Sequence, residues 1–419
     1  MGELLRLATA GSVDDGKSTL VGRLLYDSKS VLADQLDAIT RASAERGLAS
    51  PDLSLLVDGL RSEREQGITI DVAYRYFATP RRSFVLADTP GHVQYTRNTV
   101  TGASTAQLAL LLVDARNGVI EQTRRHAAVA ALLGVPRLVL AVNKIDLVGY
   151  DEATYARIAD DFLVYALAVG YSADAVTTIP VSALAGDNVV TASARTPWYA
   201  GPTLLDYLET VPVEADVDVL GARFPVQYVI RAAPDYRGYA GQVAAGTVRV
   251  GDEVVVLPGG RRSVVRGIDS PKGPVDAACA GQSVTVLLAE DIDVARGDVI
   301  AAAGDPPVLR EELSATVCWL VEHPLRAGAR VLVKHGARTV QAMVTELGCR
   351  LDEQTLARVP SPDAIAMNEI GQVRLRLAEA LPVDDYVISR RTGAFVLIDP
   401  SDGSTLAAGL VGAPLRVLA

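Results

Sequence analysis

Over residues 1 to about 212 the chain alternates between two hydrophobic rhythms. Short apolar runs appear at 4–10, 83–88, 107–114, 137–143 and 177–182. Runs this short and continuous predict strands buried on both faces. Between them apolar residues recur at helical spacing, over 121–133 and 151–168 for example. Strand and helix in turn predict βαβ units: a mainly parallel sheet with helices on both faces. VAYRYFATPRRSFVLAD at 72–88 breaks that rhythm. Two extended runs meet there at a Pro-Arg turn, which predicts one antiparallel edge strand.

Past VPVEADVDVLGA at 211–222, read as a linker, the helical spacing stops. PVQYVI, AAGTVRV, DEVVVLP, RSVVRGI and QSVTVLLA follow, separated by Gly-Asp, Gly-Gly and Pro-Lys-Gly turns. That cadence predicts a small closed barrel. After a break near GDPPVLREEL at 304–313, SATVCWLV, RVLVKHG, TVQAMVTEL, QVRLRLAEAL and AFVLIDP predict a second one. The expected fold is an α/β domain at 1–212, then a β-barrel at 218–304 and another at 308–419.

Composition narrows what such domains bind. A formal net charge of −10 argues against broad electrostatic binding of nucleic acid. Cys279, Cys318 and Cys349 are widely spaced, odd in number and form no CxxC pair, which predicts reduced, buried thiols in a cytoplasmic protein. The most apolar run, TAQLALLLVDA at 105–115, is too short to span a bilayer, and no cleavable leader pattern opens the chain. Neither nucleic acid nor membrane is expected as a partner.

The chemistry starts at GSVDDGKST. Gly11, Gly16, Lys17 and Ser18 fit G-x-x-x-x-G-K-[ST], a loop whose backbone N–H groups surround phosphate oxygens. The loop, Gly11, Ser12, Val13, Asp14, Asp15, Gly16, Lys17, Ser18 and Thr19, lies between a predicted strand and a helix with Leu20, Leu24 and Leu25 at helical spacing. A helix N-terminus there completes an anion site. Lys17 is expected at the β- and γ-phosphates and the Ser18 hydroxyl on Mg²⁺. The carboxylates of Asp14 and Asp15 need not face phosphate, and they can point away or meet a neighbouring loop.

Three further stretches select the nucleotide. Asn143-Lys144-Ile145-Asp146 ends the predicted strand 137–143. Guanine offers two donors on one edge, and the acceptor-only carboxylate of Asp146 can take both, whereas adenine lacks that pair. Asn143 could add an amide contact and the Lys144 stem could lie over the base. Ser182, Ala183 and Leu184 are placed to close the other side. In ADTPGH, Asp88 is expected to hold Mg²⁺ through water, the Gly91 backbone N–H to sense the γ-phosphate and His92 to orient the attacking water, with Thr89 and Pro90 in the same nucleotide-binding stretch. Thr69, in EREQGITIDV, could complete the Mg²⁺ shell while the γ-phosphate is present and release its loop after hydrolysis. His126, His323 and His335 read as structural.

Together GSVDDGKS, GITI, DTPGH, NKID and SAL resemble the translation-factor class of GTPases. The resemblance implies GTP and Mg²⁺ as ligands and an elongation-factor-like arrangement of three domains. GSVDDGKSTLVGRLLYD, LVDGLRSEREQGITIDVAYRYF and EDIDVARGDVI narrow it. They are similar to the GTPase subunit of bacterial ATP sulfurylase, the sulfate adenylyltransferase subunit 1 (CysN) family. Elongation factors of the Tu type carry histidine where this chain has Asp15. RRTGAFVLID at 390–399 resembles that family's third-domain motif, with Ser389 where the family has asparagine. The resemblance implies a heterodimer, which could build into a larger assembly, with a small catalytic subunit (CysD). That subunit joins ATP and sulfate to give adenosine 5′-phosphosulfate and pyrophosphate, driven by GTP hydrolysis. Asp15 then reads as a family marker, with a basic neighbour expected beside it. No second phosphate loop is written in 220–419, so a fused kinase domain is not expected there. The competing reading is an elongation factor that carries aminoacyl-tRNA.

Overall fold

The computed structural model describes residues 4–12, 14–29, 31, 33–45, 51–57, 72–89, 96–212, 220–233, 236–352 and 357–412. The chain divides into two compact units, residues 1–214 and, for the second, 215–352 with 357–416.

The first unit runs β1 (Leu4–Gly11), α1 (Lys17–Asp27), α2 (Ala33–Glu45), a 3₁₀ turn Leu53–Leu56, β2 (Ala73–Ala78), β3 (Ser83–Asp88), α3 (Thr96–Ala103), β4 (Leu108–Asp114), α4 (Glu121–Leu132), β5 (Arg137–Asn143), a 3₁₀ turn Ile145–Val148, α5 (Glu152–Ala168), β6 (Val176–Pro180) and α6 (Leu204–Thr210). The strands form one sheet in the order β2-β3-β1-β4-β5-β6. β2 alone runs antiparallel, paired with β3 at the sheet edge, as the 72–88 pattern predicts. Every residue of β4 is buried, which is why its sequence shows no alternation. Leu20 and Leu24 of α1 and Leu204 and Leu208 of α6 pack with strand residues such as Leu5, Leu110 and Val139 in one core. The Asp151 carboxylate caps α5 by accepting from Thr154 N–H at 2.8 Å.

Because β1, β3, β4 and β5 are parallel, their carboxyl ends gather at one edge of the sheet. Ligands of open α/β sheets bind outside that edge. Register brings specific pairs together: Thr9 lies opposite Asp88, and Asp114 opposite Asn143.

The second unit holds two closed barrels. In the first, β7 (Arg223–Ala233), β8 (Tyr236–Gln242), β9 (Thr247–Arg249), β10 (Glu253–Leu257), β11 (Arg261–Ser270), β12 (Gly273–Val275), β13 (Ala277–Cys279), β14 (Ser283–Leu288) and β15 (Val299–Ala302) follow in sequence. The order β10-β15-β7-β8-β14-β11 closes where β11 pairs back to β10. The AAGTVRV run supplies only the short β9, paired with β13 outside that closed ring. In the second barrel come β16 (Val308–Trp319), β17 (Arg330–His335), β18 (Arg338–Leu351), β19 (Arg358–Pro360), β20 (Ile370–Val383), β21 (Ala394–Ile398) and β22 (Thr405–Val411). Its order β17-β21-β22-β16-β20-β18 closes where β18 pairs back to β17.

An ion pair joins the barrels. The side chain of Arg223 on β7 is 1% exposed and donates from Nε and Nη2 to the two carboxylate oxygens of Asp384, each at 3.1 Å. Thr392 Oγ1 donates to the same carboxylate at 2.7 Å. Among the described residues no helix is long and apolar enough to cross a membrane.

Candidate functional site

The phosphate loop begins where β1 ends. Gly16 caps α1 in the left-handed region, φ 89° and ψ 27°. A Cβ there would stand 2.5 Å from Asn143 Nδ2, so both backbone and neighbour require glycine. The loop is cinched from both ends. Ser12 N–H donates to Asp15 Oδ2 at 2.7 Å, and Asp15 N–H donates to the Ser12 carbonyl at 3.2 Å. Asp14 is exposed and left-handed, φ 70°, while Asp15 is only 4% exposed. Burial pushes the Asp15 carboxyl up to about 6, against hydrogen bonds from the backbone of Ser12 and Asp114. The basic partner expected for Asp15 takes a different form. Its carboxylate is held by a backbone N–H, and Lys144 acts on it only through space. Lys17, Ser18 and Thr19 form the first turn of α1; Lys17 is buried and the other two half-buried.

Behind the loop, Lys17 Nζ lies 2.5 Å from Asp88 Oδ1, where Thr9 Oγ1 also donates at 2.9 Å. Thr89 Oγ1 donates to the Thr9 carbonyl at 2.7 Å. A buried carboxylate so far from water needs such partners. Two buried polar atoms beside the loop have no hydrogen-bond partner among the described residues: Asp88 Oδ2 and Ser12 Oγ. Buried polar atoms left unmatched by the protein are rare and mark places where a ligand or water belongs.

The second wall is built from β5 and the segment after β6. Asn143 uses both ends of its amide on the protein: Nδ2 donates to the Asp15 carbonyl at 2.7 Å, and Oδ1 accepts from Ala183 N–H at 2.9 Å. That amide braces three segments, through Asp15, Asn143 and Ala183. Lys144 is left-handed, φ 59°, which turns its side chain back across the loop, where Nζ donates to the Asp14 carbonyl and meets Asp114 Oδ2 at 3.0 Å. Ile145 is fully buried. Asp146 is half-buried, and no hydrogen bond among the described residues reaches its carboxylate, which leaves it able to accept two donors. Ser182 and Ala183 are buried, whereas Leu184 is 71% exposed. Arg23 of α1 holds this segment through the carbonyls of Ala183 and Leu184 at 3.2 and 2.7 Å.

Asp114, at the end of β4, was not expected. It receives Arg116 through Nε at 3.0 Å and Nη2 at 2.6 Å, and Lys144 as well. Burial pushes its carboxyl up, but these hydrogen bonds outweigh burial and hold it well below the usual carboxylate range. The signal was present: an acid closing a continuous apolar run, at the strand end where parallel sheets place ligands. Val13, Thr69, Pro90, Gly91 and His92 lie outside the described residues. His126 and His335 are buried, and burial lowers both imidazoles. Among the described residues no group of three or more His, Cys, Asp or Glu is placed to hold a metal ion.

The family model described as elongation factor Tu GTP binding domain matches residues 2–213, and the GTP-eEF1A C-terminal domain-like model matches 312–412. The bifunctional enzyme CysN/CysC of Mycobacterium tuberculosis is 55% identical over 416 residues, covering 98% of this chain and 67% of that one. The sulfate adenylyltransferase subunit 1 of Laribacter hongkongensis is 47% identical over 98% of this chain and 85% of its own length. That of Shewanella oneidensis is 48% identical over 97% and 85%.

Proposed function

The chain belongs to the sulfate adenylyltransferase subunit 1 family, built on a GTP-binding domain of the elongation factor Tu type, and from that premise we propose that it is the GTP-hydrolysing regulatory subunit of a sulfate-activating enzyme. It couples conversion of GTP and water to GDP and phosphate with a second reaction, in which ATP and sulfate give adenosine 5′-phosphosulfate and pyrophosphate. The second reaction takes place on a small catalytic subunit (CysD), with which this chain forms a cytoplasmic heterodimer. The observation that carries the reading is identity of 47% and 48% over nearly the whole chain to proteins named sulfate adenylyltransferase subunit 1, barrels included. Delivery of aminoacyl-tRNA is not favoured, because those full-length relatives are sulfate adenylyltransferase subunits.

In this reading the loop from Gly11 to Thr19 surrounds the phosphates and Asp146 reads the guanine edge. Lys144 and Asn143 hold the loops in register. Ser182, Ala183 and Leu184 close the base side, with the Leu184 side chain turned outward. Mg²⁺ fits here: Asp88 offers a buried, unmatched oxygen, and Ser18 brings a hydroxyl from the first turn of α1. When bound, the ion offsets charge on the β- and γ-phosphates. Thr69 would join it from the switch loop, and His92 would orient the attacking water. Domain limits of 1–212, 218–304 and 308–419 go with this reading. The face toward the catalytic subunit includes the Thr69 loop and parts of the barrels, because coupling requires different contacts in the GTP and GDP states.

The test mixes the purified chain with the small subunit, ATP, sulfate and GTP. Adenosine phosphosulfate yield should rise well above the GTP-free level, and hydrolysed GTP should accompany it. A yield indifferent to GTP removes the coupling.

A further inference from the structure

Asp146 sits on a short, conformationally costly turn. Lys144 before it is left-handed, and so are Gly149 and Tyr150 after it, at φ 66° and 58°. Tyr150 is neither glycine nor asparagine, so that backbone is strained and persists only where surroundings fix it. They do so densely. Tyr150 N–H closes the turn onto the Ile145 carbonyl at 2.9 Å. Trp198 Nε1 donates to the Tyr150 carbonyl at 3.1 Å. Tyr150 OH donates to Asp187 Oδ2 at 2.9 Å and accepts from Arg195 Nη1 at 2.7 Å. The Arg195 guanidinium also stands 5.5 Å from the Tyr150 ring centre.

Asp187 belongs to the opposite wall. Its carbonyl accepts from Ser182 N–H at 3.2 Å, and its other carboxylate oxygen accepts from Ser193 Oγ at 2.7 Å. The Tyr150–Asp187 hydrogen bond therefore spans from the turn that carries Asp146 to the Ser182–Leu184 segment. Arg195 reinforces both ends, lying 3.6 Å from Asp187 and within electrostatic reach of Asp146.

We infer that Tyr150, Asp187 and Arg195 form a crossbar that sets the gap between the two walls of the guanine site, with Tyr150 as a positioning residue for base selectivity. The inference rests on the proposed GTP reading. Tyr150 touches no nucleotide; it acts by aiming Asp146. Inosine triphosphate lacks the 2-amino donor of guanine, so the ratio of GTP to inosine triphosphate affinity reports how well Asp146 meets that donor.

The experiment measures both affinities by calorimetry on the full chain, for the wild type, Tyr150→Phe, Arg195→Ala and Arg195→Lys. Tyr150→Phe keeps the ring and loses both hydroxyl hydrogen bonds. It should weaken GTP binding about fivefold to thirtyfold and shrink the GTP-to-inosine ratio at least about threefold. Arg195→Ala should shrink the ratio less, and Arg195→Lys should recover part of it. A ratio unchanged in both Tyr150→Phe and Arg195→Ala overturns the inference, since a merely structural tyrosine lowers both affinities alike. Should Tyr150→Phe fail to fold, the exposed Arg195 decides alone. A wild type that binds the two nucleotides equally overturns the guanine reading itself, and the crossbar with it.

Discussion

The Asp15 carboxylate holds the backbone N–H of Ser12 at 2.7 Å, so the phosphate loop is braced by a side chain of its own as well as by Lys144, which donates to the Asp14 carbonyl. This accounts for the second aspartate of the loop. The acid is an internal brace of the loop, and burial raises its pKa from 3.8 to about 6.

The sign of that shift fixes a pH dependence. A carboxyl raised in the folded state contributes stability that is complete below pH 3.8 and is lost as pH rises through about 6. Asp15→Asn keeps an acceptor for Ser12 and removes the titration. Thermal unfolding of both chains at pH 5 and pH 7.5 is expected to favour the variant more, relative to wild type, at the higher pH. A pH-independent difference contradicts this. Asp114 is lowered, and its own loss sets in below about pH 4, outside that window.

Lys17 and Asp88 form a buried pair, so removing one partner strands a charge. Lys17→Ala is expected to lower the stability of the nucleotide-free protein by about 3 kcal/mol. Adding Asp88→Asn to Lys17→Ala should restore part of that, a coupling read from denaturant titration of the two singles and the double. Additive effects would mean that the pair carries no shared energy.

His92 stands next to Gly91 in the sequence, in the position proposed for orienting water. His92→Ala is expected to slow GTP hydrolysis about a hundredfold or more while GTP affinity stays within about twofold. Single-turnover hydrolysis and equilibrium binding separate the two. A collapse of affinity would reassign His92 to holding the nucleotide.

Arg223 is more deeply buried than Lys17 and answers one carboxylate through two parallel hydrogen bonds. Arg223→Met is expected to destabilise the barrel unit by about 3–5 kcal/mol, because Asp384 would stay buried without the guanidinium that pairs it. GTP binding should survive at temperatures where that unit is still folded. Calorimetric scans with and without GTP would show whether the shifted transition belongs to the barrels.

Continuous apolar runs made most of the first unit legible: 137–143 and 83–88 coincide with β5 and β3, and the antiparallel edge followed from its Pro-Arg turn. α3 follows from the alternation of strand and helix rather than from its own residues. Its sequence, TRNTVTGA, has three threonines and a glycine, all poor helix formers, so tertiary packing decides its state. At the site, the phosphate-loop motif and the turn proposed to read guanine could be picked out because each is local in sequence. Asp114 and the Asn143 brace could not. They depend on residues 15, 114, 143 and 183 meeting at a sheet edge, and no spacing along the chain records that meeting.

The Asn143 amide, shared between Asp15 and Ala183, gives the cradle one rivet for both halves of the nucleotide. A fragment such as bare guanosine or free pyrophosphate must order the same joint as the intact molecule while gripping only one side of it. Tethering base to phosphates should therefore yield far tighter capture than the separate fragments suggest.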